Sequence, residues 1–437
     1  EETIDQKAIE FLNHLTADFS NYVRSDKTKG HNFYITIGFD FGTSSSKIVI
    51  NAPYGDGRSF AFNVPQYFQM DNHPHLWKSI LTHRQSSDTF HLFPDSNSFQ
   101  IGDLKTSLMG APNKILTRSV SGQLTAEHLC SAFIGLLLRL VKGWLWKNFK
   151  KFFGIDAYNA KIIWEANFGL PAATLDKTPE LKRFELVTAS AWLISETSDD
   201  LTSSGILAAF KNAAGGGCDF HEFINLRPEV AAEAIGLLRS NMADFGTYVL
   251  IDIGASTLDI CVFNYVDSDE IERQVLFVAE VSLLGAECYR WLIELNKGSD
   301  RRFSEDDLHL AIREAIGTPI VYTKQDKNPL SKVWTETLPI ILAGGGRASE
   351  LHELCIAAFK SDWLKHTKTE EISIIEPTAP TSLMTSCAQN EYHRLSVAWG
   401  LSINENDFVK IDLPKEVPEQ TKKVVDYSVN FISKDVM

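Results

Sequence analysis

Apolar and polar positions follow two different periods along this chain. Ile4, Ala8, Phe11, Leu12, Leu15, Phe19, Tyr22 and Val23 recur at three- and four-residue steps, the spacing of one stripe on a helix. Residues 1–30 are therefore expected as a helical extension, its stripe docked on a partner protein or on the chain's own first lobe. From residue 34 the pattern changes. Short runs rich in β-branched and apolar residues, bounded by turn residues, occupy positions 34–39, 48–50, 162–164, 248–251 and 338–343 and read as buried strands. Between them lie helical stretches. The longest apolar one, 129–146, holds Arg139 and Lys142 in its interior, which fits a buried helix better than a membrane span. Further helices are expected over 304–317, where Ser304 supplies the cap and acids fill the first turn, and over 349–360. Strands alternating with helices point to an α/β protein.

Two of the strands end on one template. Residues 40–50 read DFGTSSSKIVI and residues 252–262 read DIGASTLDICV. Aligned, Asp40 matches Asp252, Gly42 matches Gly254, Ser44 matches Ser256 and Ile48 matches Ile260. Each copy is a strand with an aspartate at its tip, a tight Gly/Ser/Thr turn and a returning strand. Such a turn suits phosphate: the glycine removes a Cβ so that backbone N–H groups approach oxygen, and the hydroxyls add donors. An aspartate facing an anion is sensible only with a cation between them, such as Mg²⁺ in its water shell. Lys47 aligns with Asp259, pairing a group that neutralises phosphate charge with one that orients water or binds metal hydration. Alone, either hairpin reads equally as an ordinary polar turn; two in matched register weigh against that. The run 338–343 ends in Gly344-Gly345-Gly346-Arg347, glycines that let a flat ring or phosphate sit at the next helix N-terminus.

With these three segments the chain resembles the actin, heat-shock chaperone and sugar-kinase ATPase superfamily over most of residues 31–405. The resemblance implies an α/β, two-lobed actin-like ATPase fold of duplicated ribonuclease-H-like domains, with a nucleotide cleft between the lobes. Residues 226–236 and 394–401, rich in small side chains, look like its two connecting hinge helices. NFGLPAA at 167–173, LLGAE at 283–287, Thr43 and Thr257 look nearest the nucleotide-binding domain of the seventy-kilodalton heat-shock chaperones, without their substrate-binding domain. Lys47 and the TLDI ending look more like plasmid-segregating actin-like proteins. Carried over, ATP or ADP would be held by Gly42, Thr43, Ser44, Ser45, Lys47, Gly254, Ala255, Ser256, Thr257, Gly285, Gly344, Gly345, Gly346 and Arg347. Mg²⁺ would be held through water by Asp40 and Asp252. Turnover would rest on Asp252, Asp259, Glu229, Lys47 and Lys105, the last matching the chaperones' catalytic lysine. The chain also departs from the pattern. Arg227 stands where the chaperones carry Glu before Pro228, leaving Glu229 as substitute, and Ala255 and Ser256 replace glycines and stiffen the second loop. Arg313 and Lys324 read as surface charges and not as an adenine clamp.

A chain of 437 residues accommodates two lobes of about 150–200 residues each. The expected division is 1–30 for the extension, 31–240 for the first lobe with an insertion over about 53–116, 241–405 for the second lobe with a small subdomain over 290–337, and 406–437 for a tail. That tail reads as a linker plus an added strand at 424–432. A formal charge of −14 opposes general nucleic-acid or anionic-membrane binding. The six cysteines show neither C-x-x-C pairs nor zinc spacing and read as reduced, mostly buried thiols of a cytoplasmic protein. His73, His75, His83 and His91 read as loop or surface residues. The expected function is an ATP-binding, slowly hydrolysing protein that acts as a nucleotide-dependent switch on protein partners. Three alternatives remain at this stage: a self-associating, filament-forming actin-like protein, a small-molecule kinase, and a non-catalytic nucleotide-binding scaffold.

Overall fold

The computed structural model describes residues 6–53, 57–94, 97–110, 124–171, 174, 178–218, 220–238, 244–268, 271–296, 305–360 and 371–417. Its first sheet is built on β1 (His31–Phe41), β2 (Ser45–Asn51), β3 (Ser59–Ala61), β4 (Ala160–Leu170) and β5 (Ile224–Pro228). The spatial order is β5-β4-β1-β2-β3, with the first three strands antiparallel neighbours and β4 and β5 parallel to β1. The second sheet is built on β6 (Gly246–Ile253), β7 (Leu258–Ser268), β8 (Ile271–Ser282), β9 (Thr337–Ala343) and β10 (Glu371–Ile375). It repeats the first in order and sense, β10-β9-β6-β7-β8. The likeness of the two hairpins in sequence is thus the visible part of a duplicated five-strand unit.

The helices that bear on the cores and the site are α1 (Gln6–Arg24), α2 (Leu104–Gly110), α3 (Ala126–Phe153), α4 (Thr178–Ser195), α5 (Glu229–Leu238), α6 (Ala286–Asn296), α7 (Glu305–Tyr322), α8 (Glu350–Lys360) and α9 (Ser396–Leu401); Ser203–Ala214 and Phe220–Phe223 are also helical. α5 follows the last strand of the first unit and α9 follows that of the second. The two cross so closely that a Cβ on Gly400 would collide with the Ala232 carbonyl, so the small residues of both segments serve this crossing. α3 is long and apolar enough to cross a membrane, yet 94% of its most apolar window is buried inside the protein. Lys142 is fully buried there, donating to Ser195 Oγ at 2.9 Å and lying 4.1 Å from the centre of the Trp192 ring.

The stripe of α1 docks on the chain itself. Ala8, Leu12, Leu15, Phe19 and Tyr22 are buried in the first core, and Trp164 Nε1 donates to the Tyr22 hydroxyl at 2.7 Å. Each large apolar side chain buried this way contributes about 1.5–3 kcal/mol.

Several expectations change. Residues 383–401, grouped by sequence with the second lobe, return to the first: Leu383–Met384 pairs with β3, and α9 lies against β1 where Gly38 leaves room for the Ala398 carbonyl. Within the stretch expected as a small subdomain, α7 packs Leu308, Ile312, Ile316 and Ile320 into the core of the second sheet. Its proposed cap, Ser304, lies outside the described residues. An added strand does occur in the tail, but at Lys410–Asp412 beside β8; positions 424–432 lie outside the described residues. The insertion carries a small sheet of its own, Leu81–Arg84, Thr89–His91 and Ser98–Ile101, joined by Leu201–Thr202. His73, His75 and His83 are buried, contrary to the surface reading. Phe62, Phe68 and Trp77 stack on one another around the loop that holds His73 and His75, with Phe68 and Trp77 5.2 Å apart and nearly parallel, and His83 stacks on Phe90 at 4.3 Å. Of the cysteines, Cys130, Cys261 and Cys355 are buried and the other three half-buried, short of the mostly buried set expected.

Candidate functional site

The two hairpins face one cavity of about 380 Å³. In the first, Asp40 pairs across the strands with Lys47, and Lys47 Nζ sits 2.9 Å from Asp40 Oδ2. In the second, the equivalent pair is Asp252 with Asp259. Equivalent positions thus carry an ion pair in one lobe and two carboxylates in the other.

Each turn is braced by a neighbour: Ser79, which the sequence did not announce, behind the first, and the expected 283–287 segment behind the second. Ser79 Oγ donates to the Gly42 carbonyl at 2.8 Å and Ser79 N to the Ser44 carbonyl at 3.0 Å. In the second turn, the N–H groups of Gly285, Ala286 and Glu287 donate to the carbonyls of Ser256, Gly254 and Ala255 at 3.1, 2.9 and 2.8 Å. With carbonyls engaged from behind, what a turn has left for a ligand is its hydroxyls and its unused N–H groups, Gly254 N–H excepted, since it donates to the Thr257 carbonyl at 2.9 Å. A hydrogen bond also joins the two walls, from Ser44 Oγ to Glu287 Oε1 at 3.2 Å.

Of the residues singled out from sequence, Asp40, Gly42, Thr43, Ser44, Ser45, Lys47, Lys105, Glu229, Asp252, Gly254, Ala255, Thr257, Asp259, Gly344, Gly345 and Gly346 all line this cavity. Ser256 and Gly285 do not; they meet each other behind the turn, where a Cβ on Gly285 would strike the Ser256 and Thr257 backbone. The Arg347 side chain lies outside the described residues. Gly344 has φ +86°, and a Cβ there would collide with Asp252 Oδ1 and the Ile253 carbonyl. Only glycine fits that position. Arg227 points away from the cavity, stacking 4.1 Å over the Phe408 ring beside Glu165 and Glu405, whereas Glu229, at the first turn of α5, faces into it.

Charge dominates the site. Lys105 Nζ donates to Glu229 Oε1 at 2.7 Å with both side chains buried. Burial alone would lower the Lys105 ammonium, but Glu229, Asp40 and Asp259 together hold it above the usual lysine range. Burial, then Glu229, pushes Asp252 up to about 7. Burial, then Asp252 and Glu229, pushes Asp259 well above the usual carboxylate range. Glu233, on α5, is driven upward by burial and then by Asp252. Clustered carboxylates that disfavour one another's charge are relieved by a cation or by hydrogen-bond donors. Asp259 Oδ1 and Glu233 Oε2 are buried without a hydrogen-bond partner, so the donor set fits a hard cation such as Mg²⁺. Among the described residues, no three Asp, Glu, His or Cys side chains are placed to grip an ion directly. Missed by sequence were Ser79, Glu233, Asp71, Arg290, His393 and Arg394, all but Ser79 lining the cavity. Arg394 Nη1 reaches Asp71 Oδ2 at 3.1 Å, a pairing across the chain that no local pattern carries.

No protein-family model matches the chain, and no curated protein matches it. Among solved structures, MreB 5 of Spiroplasma citri, bound to AMPPNP, is similar at 11% identity with a TM-score of 0.40, over 86% of this chain and 96% of that one. A likeness so loose adds nothing to what the two repeated sheets display by themselves.

Proposed function

We propose that this protein is an ATP-binding, slowly hydrolysing two-lobed ATPase of the actin, heat-shock chaperone and sugar-kinase superfamily, acting as a nucleotide-dependent switch on protein partners in the cytoplasm. One observation carries this reading: two hairpins from duplicated sheets bring Asp40 and Asp252 into one cavity beside the Gly344–Gly346 turn. On this reading, backbone N–H groups of the two turns, with Thr43, Ser44 and Thr257, hold the phosphates. Lys47 and Lys105 offset their charge. Gly344, Gly345 and Gly346 admit the nucleoside. Asp40 and Asp252 hold Mg²⁺ through its water, and the ion would supply charge neutralisation at the phosphates. Asp259 and Glu229 orient the attacking water and accept its proton. Glu229 takes the place that Arg227 vacates.

The reading is tested by titrating the purified protein with a fluorescent ATP analogue and Mg²⁺ and by following phosphate release. Saturable binding with slow release supports it. No binding at millimolar nucleotide rejects it. Binding without release favours the non-catalytic scaffold. The self-association alternative draws on Leu283, Trp291, Leu310 and Leu330, large apolar residues exposed on the second lobe; ATP-dependent light scattering distinguishes it.

A further inference from the structure

Glu233 stands out among the cavity-lining residues because no part of the reading above uses it. It sits on α5, one turn beyond Glu229, and is fully buried at the crossing with α9. Its two oxygens have different fates. Oε1 accepts a hydrogen bond from Ser396 Oγ of α9 at 2.8 Å, and Ser396 Oγ is also 3.0 Å from the His393 carbonyl. Oε2 has no partner, although the side chain lines the cavity. A buried carboxylate oxygen left without a donor carries a desolvation cost that no hydrogen bond offsets. The groups that act on Glu233 electrostatically are Asp252 and Asp40 from the two hairpin tips and Lys47 from β2. It therefore belongs to the same electrostatic neighbourhood as both aspartates, approached from the hinge side.

We propose that Glu233 is a positioning residue for the hydrated divalent cation: Oε2 accepts a hydrogen bond from the cation's water shell, while Oε1 ties that contact to the hinge through Ser396. This rests on the nucleotide reading and extends it. Asp40 and Asp252 come from opposite lobes, and Glu233 supplies a third acceptor carried by the element on which the lobes pivot. Cation occupancy is then felt at the α5–α9 crossing directly, without passing through the phosphates. An oxygen acceptor in the water shell suits Mg²⁺ and Mn²⁺, which keep most of their waters, and not a larger, readily dehydrated ion such as Ca²⁺.

The test measures Mn²⁺ binding to the full chain by electron paramagnetic resonance in the presence of ADP, alongside ADP binding in EDTA. Glu233→Gln keeps the shape and the acceptor for Ser396 but presents a weaker acceptor or an N–H donor toward the water shell. It is expected to weaken Mn²⁺ about tenfold, the usual effect of losing a partner outside the metal's own ligands. ADP affinity in EDTA and the melting temperature without ligand should stay at wild-type values or above. Ser396→Ala, which removes only the tether, should weaken Mn²⁺ by less, and Glu233→Asp should recover part of the loss in Glu233→Gln. Unchanged Mn²⁺ affinity in Glu233→Gln, with ADP bound normally, overturns the inference and leaves the nucleotide reading standing. Failure of the wild-type protein to bind ADP at all removes both.

Discussion

Asp259 and Lys47 hold equivalent positions in the two hairpins, and this single exchange of sign gives the cavity its direction. The Lys47 side pairs with its aspartate at 2.9 Å; on the other side two carboxylates, further crowded by Glu229, are forced toward protonation. Removing one of them should therefore separate stability from activity. Asp259→Asn relieves buried repulsion, so the ligand-free protein is expected to melt about 2–4 °C higher, about 1 kcal/mol for lobes of this size, while phosphate release falls to background. A lower melting temperature with retained turnover would contradict the assigned role. Gly344→Ala tests a different contact. Its Cβ would meet Asp252 Oδ1 at φ +86°, so nucleotide affinity should drop at least tenfold with the far-ultraviolet spectrum unchanged, measured by equilibrium titration. At this scale the sequence was legible where chemistry is written locally: Asp40, Gly42, Asp252 and Gly344 sit in short motifs. Ser79 and Glu233 were not, because a lone serine or a helical glutamate acquires meaning only from Gly42 or Ser396, far away in the chain.

Among elements, the strands and hairpins were readable because a continuous run of β-branched and apolar residues ending in a glycine turn needs no partner to be recognised. The hinge helices were readable as close crossings, but where α9 lands was not: its contact with Gly38 and the tie from Asn167 Nδ2 to the Leu401 carbonyl at 2.7 Å are set by the tertiary fold. The buried histidines illustrate the same limit. His75 has its Nδ1 2.9 Å from the Phe62 carbonyl and its Nε2 3.1 Å from the Ser386 N–H, so it is held as the neutral Nδ1–H tautomer, fastening the insertion loop to residues 385–386. His73 accepts the His75 N–H at 3.2 Å and faces Glu391, His393 and Arg394. Burial lowers His73 to about 4 and lowers His75 as well. The unfolded chain then binds protons below about 6.5 that the native state refuses, so stability falls as pH drops from about 6.5 toward 4. For His73 the slope approaches about 1.4 kcal/mol per pH unit, and His75 acts in the same direction. The cleft carboxylates, with raised values, act in the opposite sense over their own range. The contribution is accordingly read as a difference: urea unfolding of wild type and His73→Asn from pH 7 to 4.5 should converge toward acid, as the variant lacks this loss. Parallel curves would show that His73 is not buried neutral.

At the scale of the molecule, the two units share apolar packing on the hinge side and meet across the cavity through polar groups. Val49 and Ala61 of the first sheet, Val230, Ala234 and Ile235 of α5, Leu250 and Phe263 of the second sheet, and Ala398 and Trp399 belong to one buried cluster. Across the opening, by contrast, the contact between Ser44 and Glu287 is a single exposed hydrogen bond of 3.2 Å. On the nucleotide reading, a shared apolar base beneath a polar opening is the arrangement that would let a ligand change the angle between lobes without breaking a core. On the nucleotide reading the Ser44–Glu287 bond also stands where phosphate must come. Glu287 gains from its place in the first turn of α6, yet its charge opposes an incoming polyphosphate, and Ser44 must give up the bond before donating to the ligand. The bond contributes about 1 kcal/mol, so Glu287→Ala should tighten nucleotide binding about fivefold. Removing the carboxylate also lifts a repulsive charge at the entrance, so association should be faster and this part of the gain should shrink as salt is raised. Stopped-flow mixing with a fluorescent ATP analogue at low and high salt reads this directly. Slower association in Glu287→Ala would mean that this carboxylate guides the ligand's cation and does not bar its phosphates.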